Sequence, residues 1–269
     1  MDGTGPADLG AVPVWRVLAA TSRSAWREAL ANRAGFWSQI AIMIVNDVVW
    51  VVFWFLFFDR VGSVRGWDLD RLIILFAILT TSAGIVLGLL NNARRTGQLA
   101  ATGALDAALA LPVSPLTYLL VRRVEPVNVG DLFFGIGLFL AFGDPTPART
   151  VVFAYGVGCA VLILTGFLVL VGSLSFWAGR SDAGDLGFHA LLLFSNYPVD
   201  IFGGATRVFL YAVVPAGFVS SAPARLVDDF DVRWAIGTGA VALVTAAAGA
   251  TAFSVGLRRY TSGATWTRA

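Results

Sequence analysis

Residues 94–124 read RRTGQLAATGALDAALALPVSPLTYLLVRRV, and an arginine pair closes the segment at each end, Arg94–Arg95 and Arg122–Arg123. Long apolar runs precede and follow it. Apolar spans stop where such clusters start, and the clusters stay on the cytoplasmic side of a membrane. The segment is therefore an internal loop. Its middle, 103–109, predicts a short helix with Leu105 and Leu109 at i and i+4 on one face, which Pro112 ends. A short amphipathic helix held at the inner surface, with little else on that side, predicts a docking element.

Composition supports the membrane reading. The chain has 269 residues, 57% hydrophobic and only 13% charged, with a mean hydropathy of +0.77. A soluble domain carries about a quarter charged residues, so the expected class is an all-α integral membrane protein. All nineteen basic residues are arginine. A nucleotide loop of the form GxxxxGK[ST] needs its lysine on the phosphates, so no ATP hydrolysis by that route is expected here. Lysine Schiff-base chemistry is excluded too. One cysteine, Cys159, and one histidine, His189, build neither a disulfide framework nor a multi-histidine metal site. The first 35 residues hold four arginines and no apolar core near the start, which predicts no cleaved signal peptide.

The chain divides into a cytoplasmic tail and interfacial helix over 1–35, one six-span unit over 36–257, and a cytoplasmic tail over 258–269. Over 14–35, Trp15, Leu18, Ser22, Trp26 and Ala29 share a side flanked by Arg16, Arg23 and Arg27, as in a helix lying in the membrane surface. The spans are expected at about 36–58, 72–90, 124–142, 151–177, 182–197 and 234–256. The first carries Asn46 and Asp47 at its centre, where a charge costs about 2.5–3.5 kcal/mol. Asp47 is either a polar point on a translocation route or a structural carboxyl paired with a neighbouring helix. The second span carries Thr80, Thr81 and a Gly84-x-x-x-Gly88 step that permits close helix approach. Asp131, near the inner end of the third span, is expected to lie shallow and reach water. For the fifth span, 182–197 competes with the apolar 205–222 segment, which Pro215 interrupts. Twelve arginines fall on the inner side of this arrangement and seven on the outer, placing both termini inside.

An intramembrane hydrolase would need a nucleophile beside a base. Only Ser173 or Ser175 with His189 offers one, and serine in spans commonly bonds backbone instead. Asp47 and Asp131 are expected at different depths. No nucleic-acid module or metal set is present in the sequence, so a non-catalytic chain is expected.

The pattern G-x-L-D-x-x-L-x-x-P-V-x-P-L over 103–116 resembles the inner loop of the type-2, exporter-like permeases of ATP-binding-cassette (ABC) transporters. So do the run S-N-Y-P-V-D-I-F over 195–202, the Pro215 and Pro223 breaks that follow, and the close F-x-x-G-L-R-R-Y over 253–260. The resemblance implies six spans, an elbow helix before the first, and outer re-entrant helices between the fifth and sixth. It implies a coupling helix at Gly103, Leu105, Asp106, Leu109 and Pro112 that touches a separate ATPase subunit. Two copies of that subunit would bind ATP and Mg, and this chain would hold no cofactor. A second permease, identical or a sibling, would complete the pathway, for which Asn46, Asp47, Thr80, Thr81, Tyr197 and Pro198 are the candidate residues. The expected location is a bacterial plasma membrane among lipids, without nucleic acid. Two alternatives stay open: an ion-coupled secondary transporter titrating Asp47, and a non-transporting membrane scaffold. The few polar groups at depth favour a lipophilic or amphipathic cargo.

Overall fold

The computed structural model describes residues 13–102, 105–178 and 183–260. Among them the regular structure is helical, apart from one isolated bridge between Val64 and Trp67. Helix α1 (Val14–Ala29) ends before Asn32, whose side chain accepts the Gly35 N–H at 3.0 Å and caps α2 (Arg33–Val61). Asp68 caps α3 (Leu69–Ala83) in the same way, through the Arg71 N–H. That helix passes through a π-helical stretch, Gly84–Leu89, into α4 (Asn92–Ala101). Next come α5 (Asp106–Leu109), α6 (Pro115–Val121) and α7 (Pro126–Phe142), the last two each opened by a proline in the first turn. Helices α8 (Pro147–Ser173), α9 (Ser175–Ala178) and α10 (Ala183–Ser195) lead to a 3₁₀ turn at Val199–Ile201. The chain closes with α11 (Gly204–Ala212), α12 (Ala222–Asp228) and α13 (Val232–Leu257).

Four of these are long and apolar enough to cross a membrane: α2, α3 with its π-helical end, α8 with α9, and α13. The all-α membrane class expected from composition is what the structure has. Its details differ from the sequence reading in three places. The 94–123 segment is not a loop around one helix but three helices, and α4 carries Arg94 and Arg95 itself. Helix α10, in the place of the expected fifth span, has 13 residues, which reach only about 20 Å at 1.5 Å per residue. The competing 205–222 segment is bent by 73° between α11 and the helix that begins at Gly217, so it is no straight span. A similar bend of 80° separates α6 from α7.

Helix α3 is the centre of the bundle, with every residue from Leu72 to Ala83 buried. Lipid tails are as apolar as leucine, so close van der Waals packing rather than hydrophobic transfer holds such helices together. The Gly84–Gly88 step supplies that closeness against α7. A Cβ on Gly84 would lie 2.2 Å from the Leu132 backbone nitrogen, and one on Gly88 3.0 Å from that of Val129. Gly166 of α8 and Gly249 of α13 make a matching crossing, where a Cβ on Gly249 would sit 2.3 Å from the Gly166 carbonyl oxygen. Phe139 stacks on Phe153 at 4.0 Å between α7 and α8. At the end remote from residues 94–123, Asp228 of α12 pairs with Arg149 at 3.0 Å and Arg71 at 3.7 Å, tying α12 to α8 and α3. By contrast α2 and α13 turn most of their apolar surface outward.

Candidate functional site

At the end of the bundle that carries residues 94–123, the two leucines expected to project together do not. Leu105 is fully buried in the protein's own core, whereas Leu109 is 46% exposed. The reason is that α5 is a single turn flanked by α6, so one leucine must face inward for the turn to be held at all. Asp106 is exposed and its Oδ1 accepts the Tyr260 hydroxyl at 2.9 Å. Desolvation, then the Asp106 carboxylate, push the Tyr260 phenol up to about 12, so it donates at every physiological pH. Pro112 is exposed. Gly103 lies outside the described residues, as do Arg180 and the terminal segments 1–12 and 261–269.

In the middle of the bundle the expectation for Asp131 fails. It is 4% exposed, as is Asp47, and the two carboxyls lie close enough to act on each other between α2 and α7. Gly130 makes this possible: a Cβ there would lie 2.9 Å from the Met43 Cβ, so the helices can touch at that level. Two carboxylates share a hydrogen bond only if one carries the proton, and an unshared pair of charges at this depth would be very costly. Asn46 is exposed on the outward side of α2. Thr80 and Thr81 are 7% and 3% exposed and press on Gly135 of α7, with Thr80 donating to the Phe76 carbonyl at 2.8 Å. They belong to the α3–α7 packing.

Toward the opposite surface, Tyr197 and Pro198 line an aromatic cavity of about 580 Å³ with Trp50, Phe53, Trp54 and Trp67. Tyr197 meets the Trp54 ring edge-on at 5.9 Å. These two candidates are therefore brought to one site, separate from the buried carboxyl pair. Missed altogether was Asp200, which is 6% exposed and gathers Arg207, Arg225 and Trp67. Its partners lie at remote sequence positions, so no local pattern signals it.

The serine–histidine alternative finds no support in geometry. Ser173 is buried and donates to the Val169 carbonyl at 2.6 Å, Ser175 donates to Gly172, and His189 is exposed against Phe188. Among the described residues no three histidine, cysteine or acidic groups gather as a metal set.

A helical bundle with four helices long and apolar enough to span, buried polar groups at mid-depth and an apolar cavity near one surface defines a multi-pass membrane protein. The family described as ABC-2 family transporter protein matches residues 44–264, and the chain belongs to it, as a permease component of an ABC transporter. No curated protein and no solved structure matches the chain.

Proposed function

We propose that this chain forms half of the translocation pathway of an exporter and is driven by a separate ATPase subunit docked on the 94–123 segment. The observation that carries this reading is the exposed Leu109 on a turn fixed from both sides. Leu105 anchors the turn in the core, and the Asp106–Tyr260 bond ties it to the end of α13. A knob so held transmits a push instead of yielding to it. Helix α4, which follows α3 in the chain and packs along α8, carries the push to the most buried helix of the bundle.

Two ATPase copies bind ATP and Mg, and a second permease, identical or a sibling, covers the outward face of α2. The exposed Asn46 amide at mid-depth favours protein over lipid at that face. The arginine bias puts both termini and the 94–123 segment on the cytoplasmic side of a bacterial plasma membrane. The apolar cavity favours a lipophilic or amphipathic cargo.

Leu109→Arg tests the docking role. The variant inserts normally but loses co-purification with a Walker-motif subunit and at least about tenfold of ATP-dependent transport, because a charge enters an apolar groove unpaired. Unchanged transport overturns the reading. The buried Asp47–Asp131 contact favours a second reading, an ion-coupled carrier. Transport that survives ATP depletion but collapses with the proton gradient would select it.

A further inference from the structure

At the surface remote from the 94–123 segment, one carboxylate faces three guanidinium groups. Arg207 Nη2 lies 2.7 Å from Asp200 Oδ1, and Arg225 pairs with Oδ2. The Trp67 indole N–H donates to Oδ2 at 3.1 Å, and Arg65 Nη1 reaches the Asp200 backbone carbonyl at 3.3 Å. Among the described residues Asp200 is the carboxylate ion-paired with Arg207 and Arg225, Asp229 and Asp231 line a small recess with Arg225, and the Arg207 and Arg225 side chains remain 46% and 41% exposed. Arg65 is held there at a backbone cost. With Gly66 it makes a two-residue turn between Val64 and Trp67, both with positive φ, 50° and 83°. Asparagine is the usual residue at the first of those positions, and strained non-glycine residues of this kind concentrate at ligand clamps.

The cluster borders the aromatic cavity. Arg225 sits over the Trp67 ring at 5.7 Å, and Trp67 is part of the cavity wall, as is Ile201 next to Asp200. No charged side chain lines the cavity. The acidic residues of the neighbouring loop, Asp59, Asp68 and Asp70, line a different recess that shares only Phe58 with it. A second, independent feature points to an occupant. Trp54, 9% exposed, lines the cavity, and its buried indole nitrogen has no acceptor among the described residues. A buried donor is normally satisfied, and a carbonyl oxygen inside the cavity would satisfy this one.

We propose that the cavity and the guanidinium cluster form one binding site for an anionic membrane lipid. Its phosphate lies on Arg207, Arg225 and Arg65, its ester carbonyl accepts from Trp54, and an acyl chain runs along Trp50, Phe53 and Phe58. The three chemistries follow the order of a glycerolipid: charge at the surface, a carbonyl just beneath it, hydrocarbon below. The exposed guanidinium groups of Arg207 and Arg225 select an anionic head over a zwitterionic one. The site does not depend on the ATPase reading, and its test needs no nucleotide.

The test is native mass spectrometry of the full chain in detergent, with phosphatidylglycerol and phosphatidylcholine competing for binding. The parent protein retains phosphatidylglycerol preferentially. Arg207→Gln lowers phosphatidylglycerol binding about fivefold and leaves phosphatidylcholine unchanged. Trp54→Phe lowers both about fivefold through loss of the shared ester contact. Arg207 is half-exposed, and Trp54→Phe keeps an aromatic ring in place, so both variants retain the fold. Equal binding of the two lipids by the parent overturns the proposal. So does phosphatidylglycerol binding indifferent to both substitutions, or inorganic phosphate displacing the lipid as effectively as a second lipid does.

Discussion

Asp47 and Asp131 illustrate how a single residue is placed by its neighbours. Asp47 lies on the α2 stripe of Phe36, Ile40, Trp54 and Phe58, all buried, so its carboxyl is carried into the α2–α7 contact with them. Removing one partner leaves the other carboxyl buried with no polar group facing it, whereas an amide keeps a donor and an acceptor in place. Asp131→Ala is therefore expected to destabilise the protein by about 1–3 kcal/mol, and Asp131→Asn by less than about 1 kcal/mol. Thermal unfolding in detergent measures both, and equal losses would mean that the pair is not bonded. At the same scale, Leu105 and Leu109 have parted company. A charge at Leu105 would strike the core, so only Leu109→Arg reports on docking.

At the scale of elements, the α3–α7 crossing is set by glycine. A Cβ on Gly84 meets Leu132 backbone, which cannot give way, while Gly137 on α7 has open space around its Cβ position. Gly84→Val is expected to force the helices apart and cost at least about 2 kcal/mol, as overpacking does. Gly137→Val serves as the control and should stay within about 1 kcal/mol. If thermal melts show the two variants alike, the close crossing is not what holds α3 in the centre. The inner helices belong to this scale as well. Gly97 of α4 packs against Gly172 and Ser175, so the helix bearing Arg94 and Arg95 is part of the bundle and no detached arm.

For the whole molecule, the outward face of α2 is the feature to be explained. Ile42, Val45, Val49 and Leu56 are each at least 60% exposed, and Asn46 is exposed among them. Covering by a second permease predicts disulfide cross-links between chains from Val45→Cys in membranes, after the buried Cys159 is replaced by serine. Leu243→Cys on α13, 66% exposed, should give none, because lipid covers that face. Cross-links from α13 but not α2 would assign the interface to the wrong side.

The membrane class, the arginine-bounded 94–123 segment and the Gly84–Gly88 contact could all be read from the chain, because each depends on composition or on spacing within one helix. The break around Pro215 was legible for the same reason, since proline acts on its own backbone; the break expected at Pro223 is absent, because Pro223 sits in a first turn and the helix from Gly217 continues to Asp228. The depth of Asp131, the inward turn of Leu105 and the charge cluster at Asp200 were not legible. Each depends on which remote helix lies opposite: α2 across from Asp131, the core beneath Leu105, the Arg65 turn and Arg225 around Asp200. Local periodicity tells which face of a helix is apolar; only packing decides what that face meets, and in a bundle of uniformly apolar helices the few polar groups are positioned by that choice alone.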